Sequence, residues 1–191
     1  MNQGGCMKSL LWTLVAGVAL SLSCLSAQAE KSRTAQEILS EAKSQAQEQR
    51  KLVFLEFSAS WCKPCHMLDS FLSAPDIAPI IQKYFVVAKV HIDEKHGKHP
   101  ELDTPGGSQL MASFAKPQGV PYLVFLDANG KAIVNSEIGP GSKNSGANIG
   151  YPAEPEEIDW FMTMLRKSAP EMTEDETHKI EDWLRQASGK M

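Results

Sequence analysis

Phe57-Ser58-Ala59-Ser60-Trp61-Cys62-Lys63-Pro64-Cys65-His66-Met67 is the stretch on which the fold turns. In front of it, Leu52 to Phe57 (LVFLEF) is an apolar, β-favouring run of the kind that forms a buried strand. Behind it, the residues to about Ser73 suit a helix that begins at Cys62. Free backbone N–H groups and the macrodipole at a helix start stabilise an anion, so a thiolate is favoured at Cys62, and Lys63 adds positive charge. Cys65 lies one turn further in and is expected to be buried, with Cys62 exposed. The spacing lets the two sulfurs close a disulfide with little backbone movement. This is the arrangement that thiol–disulfide exchange requires: Cys62 attacks, and Cys65 resolves the mixed disulfide.

Working outward, residues 34–49 predict a helix, with Ala35, Ile38, Leu39, Ala42 and Ala46 on one face and a Thr34/Glu37 capping box. A short helix is expected after Asp76, a strand over Phe85–Ile92 and another short helix over 108–115. Tyr122–Leu126 and Ala132–Asn135 read as a hairpin turning at Asn129-Gly130. Residues 139–152 (GPGSKNSGANIGYP) read as a loop, with two alternatives: one that borders the active-site face and contacts partners, or, as glycine-rich loops usually are, a plain connection. Pro155 opens a helix whose buried face holds Ile158, Phe161, Met162 and Leu165. A Thr173/Glu176 capping box opens the last helix, with Ile180, Trp183 and Leu184 as its apolar stripe. Trp160 and Trp183 are expected to hold these two helices on the sheet. The order predicts an α/β fold: a central mixed β-sheet flanked by helices, with extra helices at the C-terminus.

The 191 residues carry a net charge of −4, with 42% apolar and 22% charged residues, as an ordinary globular chain does. A mildly acidic balance gives no basic face for nucleic acid. Lys8, the apolar run Leu10–Leu22 and Ala27-Gln28-Ala29 make residues 1–29 a cleaved secretory signal peptide, leaving 30–191 as a single domain. Cleavage removes Cys6 and Cys24, so Cys62 and Cys65 are the cysteines of the mature protein. The expected location is the periplasm or the exterior. Two alternatives are an uncleaved anchor, which gives the one route to a membrane, and lipidation at Cys24, against which Ser21 stands where such sites usually carry Leu.

These motifs together resemble the thioredoxin superfamily, over roughly residues 34–140. Trp61-Cys62-Lys63-Pro64-Cys65 differs at one position from the family's WCGPC, and Gly119-Val120-Pro121 before YLVFL looks like its cis-proline loop. The resemblance implies a thioredoxin-like fold. It also implies that Val120 and Pro121 shape the substrate groove, and that Glu56, six residues before Cys62, moves a proton to or from Cys65. Lys89, in KVHID, resembles the lysine partner of that acid; read by itself it is a plain strand-end lysine. Ser70 stands where thioredoxin has a kinking proline, residues 94–108 exceed its loop, and two final helices replace one. The segment from Phe71 to Ile80 is more similar to thioredoxin-like domains of the bacterial envelope, including the C-terminal domain of thiol:disulfide interchange reductases.

Other readings stay open at this point. Cys62-Lys-Pro-Cys65-His66 also fits c-type haem attachment, although that chemistry calls for neither the strand, Trp61 nor Gly-Val-Pro. A copper-binding or partner-binding module would use the same cysteines with a histidine. A structural disulfide is the plainest alternative. His91, His96 and His99 make a loose cluster, read as a solvated loop ahead of a metal site. Trp61 reads as a docking residue ahead of a core cover, and Glu56, between Leu55 and Phe57, as buried and functional. The resulting expectation is a thiol–disulfide oxidoreductase acting on protein disulfides, with Lys63, Pro64 and Glu56 leaning toward a reductase. It calls for no cofactor, and for a redox donor or acceptor protein as partner.

Overall fold

A computed structural model describes residues 32–189 apart from 115, 117 and 118. The expected signal peptide, Cys6 and Cys24 lie outside the described residues. Helix α1 (Ala35–Gln49) starts where the Thr34 hydroxyl accepts from the Glu37 amide (3.2 Å) and the Glu37 carboxylate accepts from the Thr34 amide (2.7 Å). It ends at Arg50, which turns the chain through a left-handed conformation (φ 55°) into strand β1 (Leu52–Ser58).

β1 is an inner strand. It pairs in parallel with β2 (Phe85–His91) and antiparallel with β3 (Tyr122–Leu126), which pairs with β4 (Ala132–Asn135), in the order β2-β1-β3-β4. Helices cover both faces of this sheet, so every residue from Val53 to Ser58 is buried and the strand reads as a continuous apolar run. At the β3–β4 turn, Asp127 Oδ1 accepts from the Asn129 and Lys131 amides (2.9 Å each), and Gly130 takes the positive φ (89°).

Alternation along β1 divides the core. Val53, Leu55 and Phe57 face Ala35, Leu39, Ala42 and Ala46 of α1 and Met111 of α4 (Gly107–Ala112). Phe54 faces the other side, with Leu68 and Phe71 of α2 (Lys63–Ser73), Ile80 and Ile81 of α3 (Ala78–Tyr84), and Phe125. Glu56 shares the parity of Phe54. Helix α5 (Pro155–Ser168) closes this side with Ile158, Phe161, Met162 and Leu165, and α6 (Glu174–Ser188) adds Ile180 and Leu184. Trp183 meets Phe71 with ring centroids 5.2 Å apart, and Trp160 Nε1 donates to the Asn135 carbonyl (3.1 Å), so both tryptophans hold their helices as expected.

Element types match the sequence reading, and the boundaries move by a few residues: the strand predicted to Ile92 stops at His91, and the helix predicted over 108–115 spans 107–112. The long connection after β2 holds two 3-10 turns, Glu94–Gly97 and Pro100–Leu102, which the sequence reading does not resolve. Among the described residues no helix is long and apolar enough to cross a membrane.

Candidate functional site

The sheet delivers β1 to the start of α2 through Ala59, Ser60 and Trp61, and Cys62 is the residue that immediately precedes the helix. Its backbone is extended (φ −85°, ψ 106°) and its sulfur accepts from the Cys65 amide at 3.2 Å, so the side chain itself caps the helix. Cys62 and Cys65 form a disulfide across Cα atoms 5.2 Å apart. Pro64 fits the first turn, where its missing N–H costs no bond, and Lys63 is exposed.

One expectation is corrected here. Cys62 is as covered as Cys65, with exposures of 2% and 1%. Ala59 and Val120 close over both sulfurs, and Cys62 Sγ lies 3.4 Å from the Val120 carbonyl oxygen. A helix-capping side chain turns inward over the backbone it caps, and the neighbouring loop completes the cover. The exposed aromatic beside them is Trp61, at 44%.

The Val120–Pro121 peptide bond is cis and faces the disulfide, as the resemblance implies. Its loop is fastened from the glycine-rich segment. Asn148 Nδ2 donates to the carbonyls of Gly119 and Pro121 (3.0 Å each), and Asn148 Oδ1 accepts from Ser136 Oγ (2.7 Å). Ser136 Oγ in turn accepts from the Leu123 amide (3.0 Å), which ties the loop into β3. A groove of about 630 Å³ runs beside the cysteines between Pro64, Val120, Pro121, Asn148, Ile149 and Tyr151. The segment 139–152 therefore does border the site.

Glu56 is fully buried. Burial pushes its carboxyl above the ordinary value of 4.5, and the Lys89 ammonium, 3.5 Å from Oε2, partly opposes this. Lys89 is thus the partner of Glu56, placed opposite it by the β1–β2 register, and not a free strand-end lysine. It also bridges to Asp69, one helical turn beyond Cys65 on α2. A buried acid held protonated at higher pH, connected through Lys89 to the active-site helix, is suited to giving or taking a proton.

The histidines do not converge. His91 Nδ1 pairs with Glu94 (2.7 Å), His96 Nδ1 with Asp93 (2.8 Å) and His99 Nδ1 with Glu101 (3.0 Å). No cluster of three His, Cys, Asp or Glu side chains arranged to hold a metal occurs among the described residues. His66, the histidine that follows Cys65 in sequence, bonds through Nε2 to the Ser60 carbonyl (2.8 Å).

Sequence reasoning passed over three residues. Asp69 had a signal, since it follows Cys65 by four positions on a helix and so shares its face. Asn148 and Glu94 had none: each looks like one more polar residue in a polar loop, and only the folded connections bring them to the site.

Comparison with known proteins finds relatives of this chain. Residues 34–128 match the model of a family described as thioredoxin-like. Tryparedoxin of Trypanosoma brucei brucei is 31% identical over 99 residues, covering 46% of this chain and 68% of that protein. Thioredoxin H4 of Arabidopsis thaliana is 29% identical over 107 residues, covering 54% and 73%. Among solved structures, a disulphide isomerase from Xylella fastidiosa Temecula1 aligns at 18% identity with a TM-score of 0.48, covering 86% of this chain and 98% of that one. The cysteine pair at disulfide distance, beside a cis-proline and in a chain with these relatives, makes the protein a thiol–disulfide oxidoreductase that belongs to the thioredoxin-like family.

Proposed function

We propose that the protein is exported and reduces disulfides in other proteins, with Cys62 as nucleophile and Cys65 as resolving thiol. The observation that carries this reading is the position of Cys62, which caps α2 with its sulfur and lies against the carbonyl of Val120, a residue that lines the groove. In the reduced protein, a helix-capping sulfur has its thiolate stabilised by the Cys65 amide and the helix dipole. A target polypeptide lies along Val120 and Pro121 with Trp61 at its side. Cys62 thiolate attacks the target disulfide, forming an S–S bond to one target sulfur and releasing the other as a thiolate. Cys65, losing its proton toward Glu56, then attacks Cys62, and the target leaves with both sulfurs reduced. A donor protein returns the pair to the dithiol. Export is supported by Lys8, the apolar run Leu10–Leu22 and the Ala27-Gln28-Ala29 site.

The test is a redox titration in thiol/disulfide buffers, with Cys62→Ala as control. A reversible two-electron transition near about −270 mV is expected for a reductase, and one above about −180 mV assigns an oxidant or isomerase instead. Absence of a transition in the wild type overturns exchange altogether.

A further inference from the structure

Apart from Glu56, Glu94 is the one acidic side chain that is completely buried among the described residues, and its bonds run toward the active site. Its Oε1 accepts from the Ser60 amide (2.8 Å) and Oε2 from the Ser60 hydroxyl (2.5 Å), while His91 Nδ1 bonds to Oε1 (2.7 Å). A buried carboxylate is costly unless it is so satisfied. The hydrogen bonds from Ser60 and His91 outweigh burial and hold the group below the ordinary carboxylate range. With His66 on its carbonyl, Ser60 has all three of its polar groups occupied.

The next residue is Trp61, and the same 3-10 turn holds its ring. Trp61 Nε1 donates to the Asp93 carbonyl (2.9 Å), and the His96 ring lies 5.7 Å away, centroid to centroid. The ring presses on Gly97 so closely that an added Cβ there would come within 2.8 Å of Trp61 Cδ1. Asp93 and Lys98, at the two ends of the turn, both take left-handed conformations (φ 61° and 65°). The Glu94 amide is bonded to Asp103 Oδ1 (3.1 Å). The turn is therefore a fixed seat, and what it seats is the pair of residues before the nucleophile.

We infer that Glu94 is a positioning residue for recognition of protein substrates: its carboxylate holds the Ser60–Trp61 turn so that the half-exposed Trp61 ring stays presented beside Cys62. This rests on the reading of the protein as an oxidoreductase of protein disulfides. A small disulfide needs only the Cys62 sulfur, whereas a polypeptide must also lie against the ring. Loss of Glu94 therefore changes the preference between the two classes of substrate, which a general loss of folded protein does not do.

The experiment compares the single-turnover rate constants with which the full chain, reduced beforehand and freed of reductant so that its Cys62–Cys65 dithiol supplies the two electrons, reduces insulin and 5,5′-dithiobis(2-nitrobenzoic acid), in wild type and Glu94→Gln, with thermal unfolding followed by circular dichroism. The insulin-to-small-disulfide ratio is expected to fall about tenfold in Glu94→Gln. Ser60→Ala removes one of the three bonds to the carboxylate and is expected to lower the ratio in the same direction; it carries the comparison if Glu94→Gln fails to fold. An unchanged ratio, including one where both rates drop by the same factor, overturns the assignment. If the wild type reduces neither disulfide, the proposed function fails and takes this inference with it, a result that no variant can mimic.

Discussion

At the scale of single residues, Glu56 is the group whose chemistry and stability pull in opposite directions. Its pKa in the folded chain lies above the ordinary 4.5 because burial disfavours the anion. The folded state therefore holds a proton that the unfolded chain gives up at lower pH. Its stability is fully present below about 4.5 and is lost as pH rises past that value. Glu56→Gln removes the penalty and leaves Lys89 with its Asp69 partner. The variant is expected to be more stable than wild type at pH 7, by on the order of 1 kcal/mol, with the gap closing at pH 4. Urea unfolding at the two pH values checks this. The same variant is expected to slow the resolving step at least about tenfold, as loss of a proton-transfer group does. Stopped-flow measurement of release from a mixed disulfide on Cys62 reads that rate, and an unchanged rate removes Glu56 from the mechanism.

At the scale of elements, legibility followed the reach of the forces. Helices and strands are set by periodicity and by caps within four residues of each other, so Thr34/Glu37, Thr173/Glu176 and the Asn129-Gly130 turn marked their elements from sequence. The cysteine pair was legible for the same reason, since strand, turn and helix are contiguous there. Connections after β2 and β4 were not, because their order comes from side-chain bonds to partners distant in sequence. Glu94 meets Ser60 across 34 residues, and Asn148 meets Gly119 across 29. The exposure of Cys62 was misjudged because its cover, Val120, arrives from 58 residues away. The Asn148 tether yields a prediction for this scale. Asn148→Ala leaves the Gly119 and Pro121 carbonyls without their shared donor and loosens the cis-proline loop. KM for a protein substrate is expected to rise about fivefold or more, with kcat for a small disulfide nearly unaltered, measured by steady-state kinetics.

For the whole molecule, α6 is the element that extends the domain beyond a single closing helix, and Glu176 ties its first turn to α3. The Glu176 carboxylate accepts from the Thr173 amide (3.0 Å) to complete the capping box, accepts from the Tyr84 hydroxyl (2.7 Å) and pairs with Lys83 (2.7 Å). Those bonds from Lys83 and Tyr84 lower its pKa from 4.5 to about 2. Here the sign is reversed relative to Glu56: the stabilisation is present above 4.5 and is lost as pH falls toward 2. Glu176→Ala is expected to destabilise the whole domain by about 1–2 kcal/mol at pH 7 and hardly at all at pH 2. Unfolding curves at the two values decide it, and equal destabilisation at both would show that the charge has no part. Because Trp183 of α6 rests on Phe71, in the same helix that Cys62 opens, a loosened α6 is felt at the far end of the active-site helix.

Strand β2 lies at the border of the sheet, and among the described residues no further strand continues the ladder beyond it. Its outer rim thus carries backbone donors and acceptors of the kind that invite a foreign strand, beside an exposed valine, Val87. Lys89 stands on that rim as well as beside Glu56. Its charge makes strand-by-strand stacking of one molecule on another expensive, which guards the flank of the sheet against self-pairing. Replacing Lys89 by an apolar residue would therefore be felt in two ways, as a buried Glu56 carboxyl left without its ammonium partner inside the molecule and as self-association outside it.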